Sequence, residues 1–130
     1  MTRRTLIHIV IGAVGLAASM ALFIGCNEPT SSIGSPAAWT ETHEAAWDKV
    51  VACWQYEPKR PIVYERDDCY GEYPQRFMIS QSTAAYGMFY RPNRVVLCPD
   101  AGAAKHEFSH MVRYAMTGDA GQNYSGECGL

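Results

Sequence analysis

The stretch AAKHEFSHMVRYAMTGD, residues 103–119, carries His106 and His110 four positions apart, with Glu107 directly after the first histidine. Residues at this spacing lie on one face of an α-helix, with about 5–6 Å between their Cβ atoms. The apolar residues of the stretch fall on another face, so the pattern predicts a helix over 102–117 that packs on a sheet and ends at Gly118. The predicted core face consists of Ala104, Phe108, Met111, Val112 and Ala115.

This spacing also indicates a metal site. Two imidazoles on one helix face can bind the same zinc ion, with Zn–N bonds of about 2.0–2.1 Å. Glu107 lies one step around the helix, where its carboxylate can reach a water held by the metal and act as general base. We therefore interpret His106 and His110 as zinc ligands and Glu107 as the catalytic residue. The competing interpretation is a helix whose two histidines bind nothing.

A His-Glu-x-x-His helix that follows a strand hairpin resembles the zincin metallopeptidases, here in a very small form. The resemblance implies Zn²⁺ as cofactor and a peptide or protein as substrate. It also implies a strand beside the active helix whose edge pairs with the substrate backbone, either 85–90 or 94–98. The chain is similar, more loosely, to short bacterial lipoproteins with a late His-Glu-x-x-His.

The third zinc ligand is less clear from the sequence. A catalytic zinc site has three protein ligands and one open position, and no histidine follows His110. Asp119, just past Gly118, is the predicted third ligand, in an arrangement that resembles the aspzincins. Glu127 is the alternative, and Asn123 or the lack of a third protein ligand stays open. The candidates for stabilising the oxyanion of the tetrahedral intermediate are Tyr124, Tyr114 and Arg113.

The rest of the domain reads as a short series of helices and strands. The predicted elements are a helix at 40–54, strands at 61–66, 76–80, 85–90 and 94–98, and the helix at 102–117. Thr40 caps the first helix, and His43 is expected in solvent on its polar side. The order predicts an α+β fold, a minimal zincin-like domain with a small, mostly antiparallel sheet.

The segment 1–25 has the pattern of an export signal, with Arg3 and Arg4 before a long apolar run. Residues 22–26, LFIGC, resemble the lipobox of bacterial lipoproteins, so Cys26 is predicted to be lipidated after cleavage of 1–25. An uncleaved membrane anchor and ordinary secretion are the alternatives. Residues 26–38, rich in Pro, Ser and Gly, are predicted to be a flexible tether, and 39–130 the folded domain. The expected location is the bacterial cell envelope, facing the periplasm or exterior.

Four further cysteines follow Cys26. In a small exported domain this number predicts two disulfides, for which three connectivities exist. We favour Cys98–Cys128, because these two residues bracket the His-Glu-x-x-His helix, and therefore Cys53–Cys69.

The charge of the chain limits the class of partner that it is expected to bind. The chain has 11 basic and 13 acidic residues, a net charge of −2, and no basic stripe, so no nucleic-acid partner is expected. The predicted function is a lipid-anchored, exported and monomeric zinc metalloendopeptidase. The alternatives are a non-catalytic metal-binding envelope lipoprotein, and a structural lipoprotein in which the motif is accidental.

Overall fold

The computed structural model describes residues 33–130, which form two helices and six short strands. The elements are β1 (Ser35–Pro36), α1 (Glu41–Trp54), β2 (Ile62–Glu65), β3 (Phe77–Met78), β4 (Ala84–Ala85), β5 (Gly87–Tyr90), β6 (Arg94–Leu97) and α2 (Ala104–Thr117). The predicted α+β class is confirmed. The predicted signal peptide, Cys26 and the first part of the predicted tether lie outside the described residues. Within 33–130, neither helix is long and apolar enough to cross a membrane.

The main sheet has four strands in the order β1-β2-β6-β5. Its β5–β6 pair is the predicted antiparallel hairpin, with Gly87 opposite Leu97 and Tyr90 opposite Arg94. The β2–β6 pair is parallel and the other three strand pairs of residues 33–130 are antiparallel, so strand pairing is mostly antiparallel, as predicted. Strands β3 and β4 form a second, two-stranded sheet. The strand predicted at 85–90 is therefore divided between two sheets, with the change at Tyr86.

Alternating side chains give the main sheet two buried faces. Val63, Val95 and Leu97 point toward the two helices, while Tyr64 and Val96 point to the opposite face. That opposite face is covered by Phe77 of β3, by Ile33 and by Cys98. The strand β6 is therefore buried on both faces, as expected of a central strand with no polar alternation.

Helix α2 is held against α1 by an aromatic cluster. Phe108 stacks on Trp39, with ring centroids 5.2 Å apart, and meets Trp47 edge to face at 5.5 Å. Phe108 and Trp47 are both fully buried. Because Phe108 lies on the side of α2 away from His106 and His110, this packing turns the histidines outward from the core.

His43 is not exposed, which corrects the prediction. The helix begins with a capping box in which the backbone N–H of Thr40 donates to His43 Nδ1 and the backbone N–H of His43 donates to Thr40 Oγ1. Folding back to reach Thr40 buries the imidazole completely beside Trp39.

The predicted tether extends too far, since its last residues belong to the sheet. The backbone N–H of Ala37 donates to Val63 O at 2.9 Å, and Ser35 and Pro36 pair with β2. Ile33 is buried, so the fold begins several residues before Trp39.

Two disulfides are present, but both predicted pairings are wrong. The bonds join Cys53 to Cys128 and Cys69 to Cys98. Cys98 directly follows β6, with its side chain on the face covered by β3, next to Cys69. Cys128 lies on the helix side, beside the last turn of α1. Position in space, not bracketing along the chain, decides the pairing.

Candidate metal centre

The chain after α2 folds back over the histidine face of that helix. Gly118 adopts a left-handed conformation (φ 78°) and its N–H donates to Tyr114 O at 2.8 Å, which ends α2 as predicted. Residues 118–130, which we call the 118–130 segment, contain no helix or strand. Four carbonyls of this segment accept hydrogen bonds from side chains of α2, namely those of Asp119, Ala120, Cys128 and Gly129. Those of Ala120 and Gly129 contact the two histidines.

These carbonyls define the state of both imidazoles. His106 Nδ1 lies 3.0 Å from Gly129 O, and His110 Nδ1 lies 2.8 Å from Ala120 O. Because a carbonyl oxygen only accepts hydrogen bonds, each neutral ring carries its proton on Nδ1. The Nε2 atom of each ring is then left with a free lone pair.

The two Nε2 atoms converge on each other and on Asn123. His106 Nε2 and His110 Nε2 are 3.2 Å apart. Asn123 Oδ1 lies 3.0 Å from the first and 2.6 Å from the second. An amide oxygen is also an acceptor, so with both protons on Nδ1 and the amide oxygen toward the rings, three electron-donating atoms face one another.

Such a cluster has the shape of one face of a metal site. In a tetrahedral zinc centre with bonds of about 2.0–2.1 Å, neighbouring ligand atoms lie about 3.3 Å apart. The separations of 3.2 and 3.0 Å are close to this value, and the third, 2.6 Å, is shorter. In zinc centres, the ring nitrogen that does not bind the metal typically donates its N–H to a carbonyl or carboxylate oxygen, as the two Nδ1 atoms do here. Within residues 33–130 no three His, Cys, Asp or Glu side chains form a metal-binding group, so Asn123 is what makes this a three-atom set.

The two carboxylates considered as third ligand lie elsewhere. Asp119 accepts the N–H of Gly121 at 3.0 Å and stands 3.9 Å from Arg113. Glu127 accepts from Arg113 at 3.2 Å. Both lie beside the guanidinium and not beside the histidines, whereas the Asn123 side chain contacts both imidazoles.

Glu107 is buried beside the two histidines, with 6% of its surface exposed. Burial raises the pKa of its carboxyl above the ordinary value, while His106 and His110 oppose that rise. Gly87 of β5 packs directly on it. A Cβ at position 87 would come within 2.7 Å of Glu107 Cγ, so this close contact requires glycine.

Two grooves meet at Glu107. The larger, about 530 Å³, is lined mainly by apolar and tyrosine side chains, including Ile79, Tyr86 and Tyr124. The smaller, about 220 Å³, includes Phe89, Ala120 and Gly121. Met88, Glu107 and Asn123 line both grooves, so the candidate centre sits between them.

The three oxyanion candidates differ in their distance from the centre. Tyr124 is exposed and its ring lies 6.2 Å from that of His106. Tyr114 packs against Phe89, with Arg91 over its ring at 5.5 Å. Arg113 is engaged by Asp119 and Glu127. Of the three, Tyr124 is the one that lines a groove shared with Glu107.

Sequence reasoning missed Gly87, Ser109 and the backbone carbonyls, and it ranked Asn123 last. Backbone carbonyls carry no mark in a sequence, and an asparagine in a polar segment looks like a turn residue. The one available signal in the sequence was Cys128, because a disulfide at this residue holds the segment near the helices. Comparison with known proteins adds no relative, because no protein-family model, no curated protein and no solved structure matches this chain.

Proposed function

We propose that this chain is a zinc-dependent metallopeptidase in which His106, His110 and Asn123 bind the metal and Glu107 is the general base. One observation carries the proposal. The two Nε2 atoms and Asn123 Oδ1 lie within 3.2 Å of one another beside a buried carboxylate, and a cation bound among them would accept a lone pair from each.

The donor set fits zinc, since imidazole nitrogens with an oxygen ligand are among its preferred partners. When bound, zinc would polarise the scissile carbonyl and make water more acidic. Asn123 contributes an uncharged oxygen, so the two histidines would supply most of the affinity. The Ala120 and Gly129 carbonyls orient the rings and make them more basic.

Glu107 performs the proton transfers. Its carboxylate takes a proton from the attacking water as the C–O bond forms, and passes that proton to the leaving amine as the C–N bond breaks. A pKa raised by burial suits this role, because it makes the carboxylate a stronger base. Gly87 keeps this carboxylate close to the strand.

The position of β5 supports an extended peptide as substrate. In the order β1-β2-β6-β5 this strand is at the edge of the sheet, and its other side is free of strand partners within 33–130. The two grooves lie along it, on either side of Glu107. A peptide backbone can add to such an edge while its side chains enter the grooves. Tyr124 is placed to donate to the oxyanion from the larger groove.

The location proposed for this activity rests on the sequence of residues 1–38. A lipid on Cys26 would hold the domain at the surface of an envelope membrane, on the periplasmic or exterior side. Ile33 is buried in the domain, so at most six residues, 27–32, would separate a lipidated Cys26 from the folded part.

The uncharged third ligand favours a second candidate, a metal-binding lipoprotein without peptidase activity. A neutral amide attracts a dication less than a carboxylate does. The two candidates share the metal centre and differ in whether Glu107 does chemistry.

Glu107→Gln separates them. The proposal expects the full-length variant, purified in detergent, to bind zinc like the wild type while cleavage of a broad peptide library falls by at least about 100-fold. Glu57→Gln, on the exposed stretch after α1, is the matched control and is expected to cleave normally. A zinc-loaded wild type that cleaves nothing in the library supports the metal-binding candidate, and a Glu107→Gln variant that still cleaves contradicts the assignment of the base.

A further inference from the structure

We infer that Ser109 and the Cys53–Cys128 disulfide are positioning groups for the metal centre. They hold the 118–130 segment in place, so that its carbonyls and Asn123 stay in contact with the histidines. This inference rests on the proposed function, because it concerns the affinity of the same site.

The disulfide acts at the point where the segment meets His106. Cys128 directly precedes Gly129, whose carbonyl accepts from His106 Nδ1. The partner Cys53 belongs to the last turn of α1, which packs against α2 through Trp47 and Phe108. The bond therefore ties the Gly129 carbonyl to α1, whereas the histidines are on α2.

Ser109 supplies a second attachment at the same point. It is fully buried in α2, and its hydroxyl donates to Cys128 O. In the motif Ser109 occupies one of the two unspecified positions, so it has no role in binding metal directly. Here it fixes the peptide unit between Cys128 and Gly129 relative to His106, three residues earlier on the helix.

This part of the segment also has the buried side chain of Leu130 and two backbone hydrogen bonds within its own turn, from Gly126 N to Leu130 O and from Leu130 N to Glu127 O. These two bonds do not join it to α2. The ion pairs of Arg113 with Asp119 and Glu127 involve carboxylates that are 74% and 57% exposed, and exposed pairs of this kind contribute little. The backbone also needs unusual conformations here, since Cys128 and Gly129 both have positive φ, 47° and 100°. Without the disulfide and the serine hydroxyl we expect this conformation to be lost.

Zinc affinity of the full-length protein tests the inference. Competition with a chelator of known affinity gives the Kd for Zn²⁺ in the wild type and in the C53S/C128S double variant. Loss of the hydrogen bonds that orient ligating histidines typically weakens metal binding by about 10–100-fold, and we expect this effect in C53S/C128S. The C69S/C98S double variant is the matched control, because it also removes one disulfide but on the opposite face of the sheet. Its Kd is expected to stay within about 3-fold of the wild type.

Ser109→Ala keeps both disulfides, so it tests the inference even if C53S/C128S does not fold. We expect it to weaken zinc binding by about 10-fold. In the metal-free state, ¹⁵N NMR of the imidazoles should show one tautomer for His106 in the wild type, with the proton on Nδ1. In C53S/C128S and in Ser109→Ala it should show a mixture.

The outcomes distinguish a failure of the inference from a failure of the proposed function. A wild type that binds zinc, with C53S/C128S and Ser109→Ala both within about 3-fold of it and their His106 tautomer unchanged, would overturn the inference and leave the proposed function standing. A wild type that binds no zinc overturns the proposed function, and the inference with it.

Discussion

Asn123 shows how one side chain can change the interpretation of a site. Its amide oxygen lies 2.6 Å from His110 Nε2 and 3.0 Å from His106 Nε2, atoms that both carry lone pairs. With its oxygen and nitrogen exchanged, the same amide would donate its N–H groups to the two rings and form a purely structural cluster. Metal affinity distinguishes these arrangements, because only the first uses the oxygen as a ligand.

Gly87 is the residue on which the position of Glu107, the proposed general base, depends. Changing Gly87 to Ala adds a Cβ within 2.7 Å of Glu107 Cγ and 3.0 Å of Ala103 Cβ, so Glu107 must shift. A misplacement of about 1 Å at a reacting group can cost on the order of 100-fold in rate, and we expect kcat/KM to fall by about 10–100-fold. The measurement is kcat/KM on a peptide cleaved by the wild type, with zinc affinity determined on the same sample.

Zinc affinity of Gly87→Ala should stay close to that of the wild type, since position 87 contacts Glu107 and not the ligands. A parallel loss of zinc would show instead that the substitution disrupts the whole centre. Unchanged kcat/KM would contradict the positioning role of Gly87.

At the scale of elements, local patterns were enough for the helices and the hairpin. The period of the apolar residues predicted α1 and α2, and Thr40 and Gly118 mark one end of each as expected. The pattern could not predict β1, because two residues paired with a distant strand have no periodicity. The parallel β2–β6 pairing depends on packing between segments that are far apart in the sequence, which no local signal specifies.

His43 belongs to this scale because it completes the cap of α1. The prediction of an exposed side chain followed from polarity alone, whereas the bond from Thr40 N to Nδ1 draws the ring inward. Its Nε2 is buried without a hydrogen-bond partner among the described residues. Burial lowers the pKa of His43 below the usual 6.5, although the charges of Glu65 and Glu44 oppose this.

A lowered pKa makes stability depend on pH with a definite sign. Below the usual pKa of 6.5 the unfolded chain takes up a proton at His43 that the folded chain resists, so stability is lost as pH falls from about 6.5 toward the folded pKa. His43→Gln keeps an acceptor for Thr40 N and removes the titrating group. The free energy of unfolding in urea, measured at pH 7.5 and 5.5, should therefore fall less in His43→Gln than in the wild type. Equal losses in both proteins would contradict this explanation.

At the scale of the whole molecule, two disulfides fasten the two faces of the sheet. Cys53–Cys128 links α1 to the 118–130 segment on the helix side, and Cys69–Cys98 links the loop before β3 to the end of β6 on the other. A domain of this size buries a limited core and depends on such bonds. The sequence predicted their number but not their partners, because four cysteines allow three pairings and only the fold selects one.

The C69S/C98S double variant measures this dependence. The bond closes a loop across a sequence separation of 29, which in the chain-entropy model contributes about 3.6 kcal/mol. For a domain of about 100 residues this corresponds to a fall in Tm of about 15–25 °C. Thermal unfolding followed by circular dichroism checks it, and a fall of less than about 5 °C would show that the packing of β3 against Val96 and Tyr64 suffices without the bond.

Only the part of the candidate site that lies on one helix could be predicted from the sequence. His106, Glu107 and His110 share one helix, so their spacing alone placed them together. The proposed third ligand comes from the 118–130 segment, whose course is set by Gly118, by Cys53–Cys128 and by contacts to α2. A carboxylate was the natural expectation there, but Arg113 attracts both available carboxylates.

Zinc titration of the full-length protein and its Asn123 variants tests the central claim most directly. The account predicts one zinc per wild-type chain, binding weakened by more than about 10-fold in Asn123→Ala, and binding tightened by about 10-fold in Asn123→Asp, where the ligand gains a charge. Gln122→Glu, which adds the same charge one residue earlier, should leave the affinity near that of the wild type. A wild type that binds no zinc, or Asn123 variants that bind it as tightly as the wild type does, would contradict the account.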